Sequence, residues 1–104
     1  MGKTYFTITG TKYYYGSDFF KRKMIVTLNK EKDNEYDKEA IVVRVKGLGN
    51  VGHVANSPHT VLGESVSAGR LYDRIGKKAH GKVEYILPQG IVCSLIDEKK
   101  KDDQ

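Results

Sequence analysis

The sequence contains only one cysteine and two prolines, and it has no tryptophan. A single cysteine excludes an internal disulfide, and no apolar run is long enough to cross a bilayer. The first residues have no apolar stretch of the kind found in a signal peptide. These absences lead us to expect a cytoplasmic protein that does not contact a membrane.

The single cysteine, Cys93, lies in an apolar run from Gly90 to Ile96. A cysteine in such a run is usually a small buried hydrophobic residue, whereas a nucleophilic cysteine needs electropositive and partly exposed surroundings. Nothing near Cys93 in the sequence supplies such surroundings. We therefore expect Cys93 to be buried and regard a catalytic thiol as the weaker interpretation.

The sequence also lacks the spacings of several catalytic and cofactor sites. Its three histidines and one cysteine do not have the spacing of zinc ligands. The glycine-rich segment 47–52 lacks the third glycine of a dinucleotide-binding loop and does not open a helix, and there is no nucleophile elbow. We expect a binding module that is not an enzyme and that needs neither a metal nor a cofactor.

Positive charge is in excess, with 18 basic and 13 acidic residues, a net charge of +5 and a pI of about 9.3. Basic proteins attract polyanions such as nucleic acid, but excess lysine that only keeps a small protein soluble explains the total equally well. The densest basic segment spans residues 70–82, and its candidate phosphate contacts are Arg70, Arg74, Lys77 and Lys78. An ordinary solvated loop is at least as good an interpretation of this segment.

We predict one domain over residues 1–97, followed by a charged tail at 98–104 that should be disordered because it has no apolar anchor. Within the domain, apolar and polar residues alternate with the period of half-buried strands. The predicted strands cover residues 5–9, 23–29, 40–46, 51–54, 83–87 and 91–96. This pattern predicts a mostly β fold, a compact six-stranded OB-like or SH3-like barrel with two hairpins.

One or two short helices are predicted after the fourth strand. Ser57 and Pro58 suit the N-cap and the first position of a helix. Its apolar face would consist of Val61, Leu62 and Val66. A second helical turn would cover residues 70–75.

Three segments carry residues that suit ligand binding. The first, 10–16, reads Gly-Thr-Lys-Tyr-Tyr-Tyr-Gly, and its exposed tyrosine rings could stack on bases, although strand alternation would place some of them in the core. The second, 33–41, reads Asp-Asn-Glu-Tyr-Asp-Lys-Glu-Ala-Ile and has a tyrosine inside a charged loop. The third, 51–54, reads Val-Gly-His-Val, and its histidine is either a structural residue or a partner for a phosphate or hydroxyl.

Together these segments resemble the HIRAN domain. The resemblance rests on Gly-x-[Lys/Arg]-Tyr-Tyr-x-Gly after the first strand, then Asn-x-Tyr-Asp-x-x-Ala-Ile and Val-Gly-His, and it extends over roughly residues 4–96. It implies a modified OB-like β-barrel with helices that binds the 3′ end of single-stranded DNA. Where the family's module is joined to a helicase motor it helps to remodel stalled forks; here we expect a stand-alone module.

The resemblance also implies residue roles. In the first segment, an arginine and a tyrosine of the family's DNA pocket fall on Lys12 and Tyr13. In the second, a tyrosine and an aspartate fall on Tyr36 and Asp37, the aspartate accepting a hydrogen bond from the terminal 3′ hydroxyl. In the third, a histidine falls on His53.

Two positions depart from the family pattern. Lys12 replaces an arginine and lacks the planar fork with which arginine binds phosphate. Gln89 stands where the family has a phenylalanine near the last hairpin, so that a stacking surface of the kind that contributes about 1–3 kcal/mol per base is lost. We therefore expect binding to a DNA end to be weakened or altered in preference.

These observations predict a nucleic-acid-binding module for single-stranded DNA with a preference for a 3′ end, acting in DNA repair or the processing of replication intermediates. The alternative is a protein–protein interaction module that uses the tyrosine-rich face. A hydrolase or nuclease is the weakest interpretation, because it would need a metal on the acidic cluster of Asp33, Glu35 and Asp37. A separate helicase or nuclease is a candidate partner, and the oligomeric state and the choice between DNA and RNA stay open.

Overall fold

The computed structural model describes residues 3–97, which contain six β-strands, one short α-helix and one turn of 3-10 helix. The strands are β1 (Tyr5–Thr9), β2 (Ile25–Lys30), β3 (Ile41–Val45), β4 (Gly49–Val54), β5 (Lys78–Leu87) and β6 (Gly90–Leu95). The 3-10 turn, η1 (Thr11–Tyr13), follows β1, and the helix α1 (Ala68–Tyr72) lies between β4 and β5. The predicted tail at 98–104 lies outside the described residues.

The six strands of this range form a closed antiparallel barrel in the order β1–β4–β3–β2–β5–β6, and β6 pairs again with β1. The predicted hairpins are present as the β3–β4 and β5–β6 pairs. The prediction of a mostly β, six-stranded barrel is therefore confirmed. Closure pairs each strand on both sides, which protects a small β protein against edge-to-edge association.

Alternating burial explains why these segments enclose a core. In β2, Val26 and Leu28 are fully buried, while Thr27 between them is only half-buried. Every strand and α1 contribute inward side chains of this kind, among them Phe6, Ile41, Val51, Leu71, Val83 and Ile91. Side chains on the opposite faces of the same strands are left on the outside of the barrel, where a ligand can reach them.

Cys93 of β6 is part of this core, as the sequence predicts, and is fully buried. Burial, together with the nearby charge of Glu84, raises the pKa of the Cys93 thiol to about 12. A thiol with that pKa stays protonated at neutral pH, and Cys93 packs in the core as a small hydrophobic residue.

The prediction of a helix beginning at Ser57 is wrong. Ser57 does cap a turn, because its Oγ accepts a hydrogen bond from the N–H of His59 (3.1 Å). The chain then leaves the helical path, since Leu62 donates its N–H to Thr7 Oγ1 (3.1 Å) and Gly63 adopts a left-handed conformation with φ 56°. The predicted apolar face of Val61, Leu62 and Val66 is half-buried without forming a helix.

The α-helix of residues 3–97 begins later, at Ala68. Its N-cap is Ser67, whose Oγ accepts a hydrogen bond from the N–H of Arg70 (3.4 Å). The predicted helical turn over 70–75 therefore overlaps the end of α1 and is not a second helix. A single short helix after the fourth strand agrees with the lower of the two predicted numbers.

The predicted alternation of 83–87 is also wrong in its second half, because β5 has a bulge between Val83 and Tyr85. A bulge adds one residue to one strand and interrupts its alternation. Val83 before the bulge is buried, whereas Tyr85, Ile86 and Leu87 after it are all exposed, so neither face of this end of β5 contributes to the core.

The packing of β5 against β1 leads to a test of the core. A Cβ built on Gly81 would lie 2.5 Å from Cζ of Phe6. We expect Gly81→Ala to lower the free energy of unfolding by about 1–3 kcal/mol, because the buried ring must shift. Gly76→Ala is the control, since a Cβ there meets no atom within 4 Å. Urea unfolding that gave both variants the same stability would contradict this packing.

A second test concerns the end of the barrel where Asp97 contacts β5. Asp97 Oδ1 accepts a hydrogen bond from the N–H of His80 (2.6 Å), and Oδ2 lies 3.0 Å from His80 Nδ1. Partial burial acts to raise the pKa of Asp97, but the hydrogen bonds from His80 and its charge outweigh that effect, and the pKa lies below the ordinary 3.8.

A carboxylate whose pKa is lowered by folding stabilises the fold above its unfolded value of 3.8, and this contribution is lost as the pH falls through the folded value. Asp97→Asn should therefore lower the free energy of unfolding at about pH 6, by no more than about 1 kcal/mol for so exposed a pair. The difference from the wild type should shrink in urea unfolding at about pH 2.5. A difference that stayed constant over this range would exclude the proposed linkage.

Candidate nucleic-acid interface

His53 lies on β4, half-buried, where it pairs with Thr9 of β1 and Val42 of β3. The preceding Gly52 makes this placement possible, because a Cβ there would lie 2.8 Å from Ile8 Cγ2. Glycine in the Val-Gly-His segment thus lets β4 approach β1 closely. Within this motif, Gly52 therefore allows the close packing of the strands, and His53 is the candidate site residue.

Two separate segments meet at the His53 ring. Glu31 directly follows β2, and its Oε1 lies 2.9 Å from His53 Nε2. Tyr14 directly follows η1, and the centroid of its ring lies 6.1 Å from the centroid of the His53 ring, with an angle of 41° between the two planes. The imidazole therefore lies against both a carboxylate and an aromatic ring.

The loop between β2 and β3 is organised by Asn34. Its Oδ1 accepts hydrogen bonds from the N–H groups of Tyr36 (2.9 Å) and Asp37 (2.8 Å). Its Nδ2 donates to Glu31 Oε1 (3.3 Å), the same oxygen that contacts His53. An asparagine that accepts from the backbone in this way replaces a turn carbonyl. The Glu31 carboxylate therefore joins the whole loop to His53.

This loop presents an exposed ring next to a carboxylate. The Tyr36 side chain is 97% exposed, and Asp37 is half-buried. Asp37 Oδ1 accepts a hydrogen bond from the N–H of Glu39 (2.9 Å), while Oδ2 accepts none from residues 3–97. The loop thus offers a stacking surface together with an acceptor oxygen for a hydroxyl group.

The first tyrosine segment is not extended, so the strand alternation expected for it does not apply. Tyr13 is 76% exposed within η1, and Lys12 Nζ lies 5.2 Å from its ring centroid. Tyr14 and Tyr15 are exposed as well. Among the three rings, that of Tyr14 contacts His53, and the two residues before it, Lys12 and Tyr13, form an exposed ring with a cation over it.

Gln89 lies exposed in the turn between β5 and β6. Because β6 runs antiparallel to β1 with Ile8 opposite Ile91, this turn is at the end of β1 from which η1 starts. Gln89 is therefore on the η1 side of the barrel. Within residues 3–97, none of the hydrogen bonds or ring contacts joins it to His53 or to the loop of Asn34.

The basic side chains of 70–82 have different surroundings. Arg74 Nη1 donates to Thr4 Oγ1 (3.2 Å), and Lys82 Nζ lies 3.9 Å from Glu84 Oε2. Arg70 on α1 and Lys78 at the start of β5 are exposed. Lys77 lines an open cleft of about 610 Å³ together with residues of the loop, including Glu31 and Asn34. Lys77 is therefore the member of this segment that lies beside the site.

The sequence patterns do not predict Glu31, Asn34 or Tyr14 as residues of the candidate site. Asn34 and Tyr14 stand inside the quoted motifs, so a signal for them was available. Glu31 stands outside every motif and is 22 residues from His53 in the sequence, and only the register of the folded strands brings the two together.

A family model described as the HIRAN domain matches residues 1–74, well over half of the chain. The chain belongs to the HIRAN domain family. HIRAN domains are in general DNA-binding modules. No curated protein matches this HIRAN domain.

Solved structures share the fold of this HIRAN domain. One is the HIRAN domain of human HLTF, with 23% identity and a TM-score of 0.59 over 90% of this chain and 71% of that chain. Another is a protein from Lactobacillus plantarum, with 24% identity and a TM-score of 0.60 over 88% of both chains. At these identities the likeness shows the fold.

Two further properties of residues 3–97 bear on the kind of site. No helix in this range is long and apolar enough to cross a membrane. Nor does the range contain a group of three or more histidine, cysteine, aspartate or glutamate side chains that could hold a metal ion. Asp33, Glu35 and Asp37 do not form such a group.

The role of Asn34 in shaping the loop leads to a prediction. Asn34→Ala removes the acceptor for two N–H groups, so the amide protons of Tyr36 and Asp37 should exchange faster with solvent. The free energy of unfolding should fall by about 1 kcal/mol. Lys38→Ala, exposed in the same loop, is the matched control. Unchanged exchange at residues 36 and 37 in Asn34→Ala would show that the loop is shaped by something else.

Proposed function

We propose that this HIRAN domain binds single-stranded DNA at a free 3′ end. The observation that carries the proposal is the meeting of η1, the loop of Asn34 and β4 at the His53 ring. Glu31 and Tyr14 contact that ring, and the segments that contain them also carry the candidate residues Lys12, Tyr13, Tyr36 and Asp37. Such a site acts by binding, and we propose no catalytic step for it.

The polar groups favour a terminal hydroxyl over a terminal phosphate. A 3′ hydroxyl is a hydrogen-bond donor, and Asp37 Oδ2 is an acceptor without a donor among residues 3–97. A 3′ phosphate would bring negative charge next to Asp37 and Glu31, and like charges in contact repel. The site therefore supports recognition of an unmodified 3′ end.

The exposed rings supply the sequence-independent part of the affinity. Tyr36 and Tyr13 are 97% and 76% exposed, so both present large apolar faces to bases. Stacking on an aromatic side chain contributes about 1–3 kcal/mol per base. Lys12, held near the Tyr13 ring, is placed to attract a phosphate of the same strand. Gln89 adds no ring, so these tyrosines would have to supply the stacking.

The same exposed tyrosines also suit the alternative function, a protein-interaction module, because tyrosine is a frequent anchor at protein interfaces. Salt dependence separates the two. For single-stranded DNA, the logarithm of the binding constant should fall with the logarithm of the salt concentration, with a slope of about −0.7 per phosphate contacted. A protein contact anchored by tyrosine should depend far less on salt.

We further propose that the domain serves DNA repair or the processing of replication intermediates. A cytoplasmic location and cooperation with a separate helicase or nuclease remain predictions. The role in repair and the cooperation with a helicase or nuclease both presuppose end binding, so the test of end binding comes first.

The test compares one short oligonucleotide with a 3′ hydroxyl and the same strand with a 3′ phosphate, by fluorescence anisotropy at low salt. The wild type should bind the hydroxyl end more tightly. Asp37→Asn should lose this preference, because the amide keeps an acceptor for the Glu39 N–H but removes the negative charge. Glu35→Gln, exposed in the same loop, is the matched control and should keep it.

Equal binding of the two ends by the wild type would contradict end recognition. Absence of binding to either strand at low salt would contradict DNA binding as a whole.

A further inference from the structure

Acidic residues are absent from two long stretches of this chain. Neither 19–30 nor 40–63 contains an aspartate or glutamate, and these stretches include all of β2, β3 and β4. The same stretches contain six basic residues: Lys21, Arg22, Lys23, Lys30, Arg44 and Lys46. Of the three neighbouring strands, β2 and β3 therefore carry one basic residue each, Lys30 and Arg44, and none of the three carries an acidic one, a property that the net charge of the chain does not reveal.

Arg44 lies on the outer face of these strands. Val43 beside it is fully buried, whereas Arg44 is exposed and pairs with Thr27 of β2 and Asn50 of β4. Lys46 is exposed two residues later, where β3 gives way to the turn of the hairpin. Both cations thus point to solvent at the end of the same strand.

A cleft connects Arg44 to the candidate site. It has a volume of about 560 Å³, and its lining consists of Tyr14, Tyr15, Arg44, Leu48 and Asn50. The Tyr15 hydroxyl donates a hydrogen bond to the carbonyl of Leu48 (3.2 Å), which holds this ring against the β3–β4 hairpin. Tyr14 is the same ring that contacts His53. The lining of the cleft therefore includes both the ring that contacts His53 and a cation.

The charge of the lining distinguishes this cleft from the one lined by Lys77. That cleft contains the carboxylates of Glu31 and Asp33 as well as lysines, so a phosphate entering it would meet both signs. The cleft of Arg44 has two tyrosine rings and a guanidinium and no acidic side chain. Arginine binds phosphate oxygens with two parallel hydrogen bonds, and tyrosine rings stack on bases.

We propose that the nucleotides preceding the 3′ end follow this cleft, with bases against Tyr14 and Tyr15, one phosphate on Arg44 in its lining and a further phosphate on Lys46, which is exposed outside the lining and two residues later in the chain. The inference rests on the proposed function and adds a second subsite to it, for the sugar–phosphate backbone of the same strand. Affinity should then increase with strand length beyond the few nucleotides that the end site covers.

The experiment measures the binding of two 3′-hydroxyl strands, one of about three and one of about twelve nucleotides, over a range of salt concentrations. The wild type should bind the longer strand at least tenfold more tightly. The double variant Arg44→Gln, Lys46→Gln should lose most of this gain and reduce the salt slope by about 1.4, since each phosphate contact accounts for about 0.7. Its affinity for the shorter strand should be unchanged.

Lys21→Gln, Lys23→Gln is the matched control, because both residues are exposed and lie outside the cleft, the loop of Asn34 and the basic segment 70–82. It removes the same charge and should keep the length dependence. The proposal is overturned if the wild type binds both lengths equally, or if the control lowers the affinity and the slope as much as the cleft variant does. Either of these results leaves end binding intact, whereas a failure of both strands to bind contradicts the proposed function itself.

Discussion

The 2.9 Å contact between the Glu31 carboxylate and the His53 imidazole joins two parts of the barrel that the chain order separates. On one side the carboxylate also accepts a hydrogen bond from Asn34, which shapes the loop that presents Tyr36. On the other side the imidazole lies beside Tyr14, and through it next to η1. The arrangement of the candidate site therefore depends on this one pair.

The barrel supplies the conditions for that pair. Pairing of β2 with β3 and of β3 with β4 places Asn29, Val42 and His53 in one row, and Glu31 comes two residues after Asn29. The barrel core fixes this row from inside, because the neighbouring Leu28 and Val43 are fully buried. A contact between two partly exposed polar side chains contributes little free energy of folding by itself, so the packing of the barrel sets its geometry and not the reverse.

The sequence predicts those features that depend on local patterns. Alternation identifies the strands because each residue's burial follows from its position on the strand, and the Gly, Asn and His motifs identify the three segments of the site. The sequence does not predict those features that depend on contacts between residues far apart in the chain. Thr7 Oγ1 accepts a hydrogen bond from the N–H of Leu62, which ends the turn that Ser57 begins. The bulge in β5 interrupts the alternation before the exposed Tyr85. Glu31 contacts His53 only because of the register of the strands.

The most direct measurement of the central claim is the change in backbone amide NMR shifts when a short single strand with a free 3′ hydroxyl is added. If η1, the loop of Asn34 and β4 form one binding site, the amides of Lys12 to Tyr14, of Asn34 to Asp37 and of His53 should shift together with a single affinity. Shifts confined to the basic segment 70–82, or different affinities for the three segments, would contradict the account.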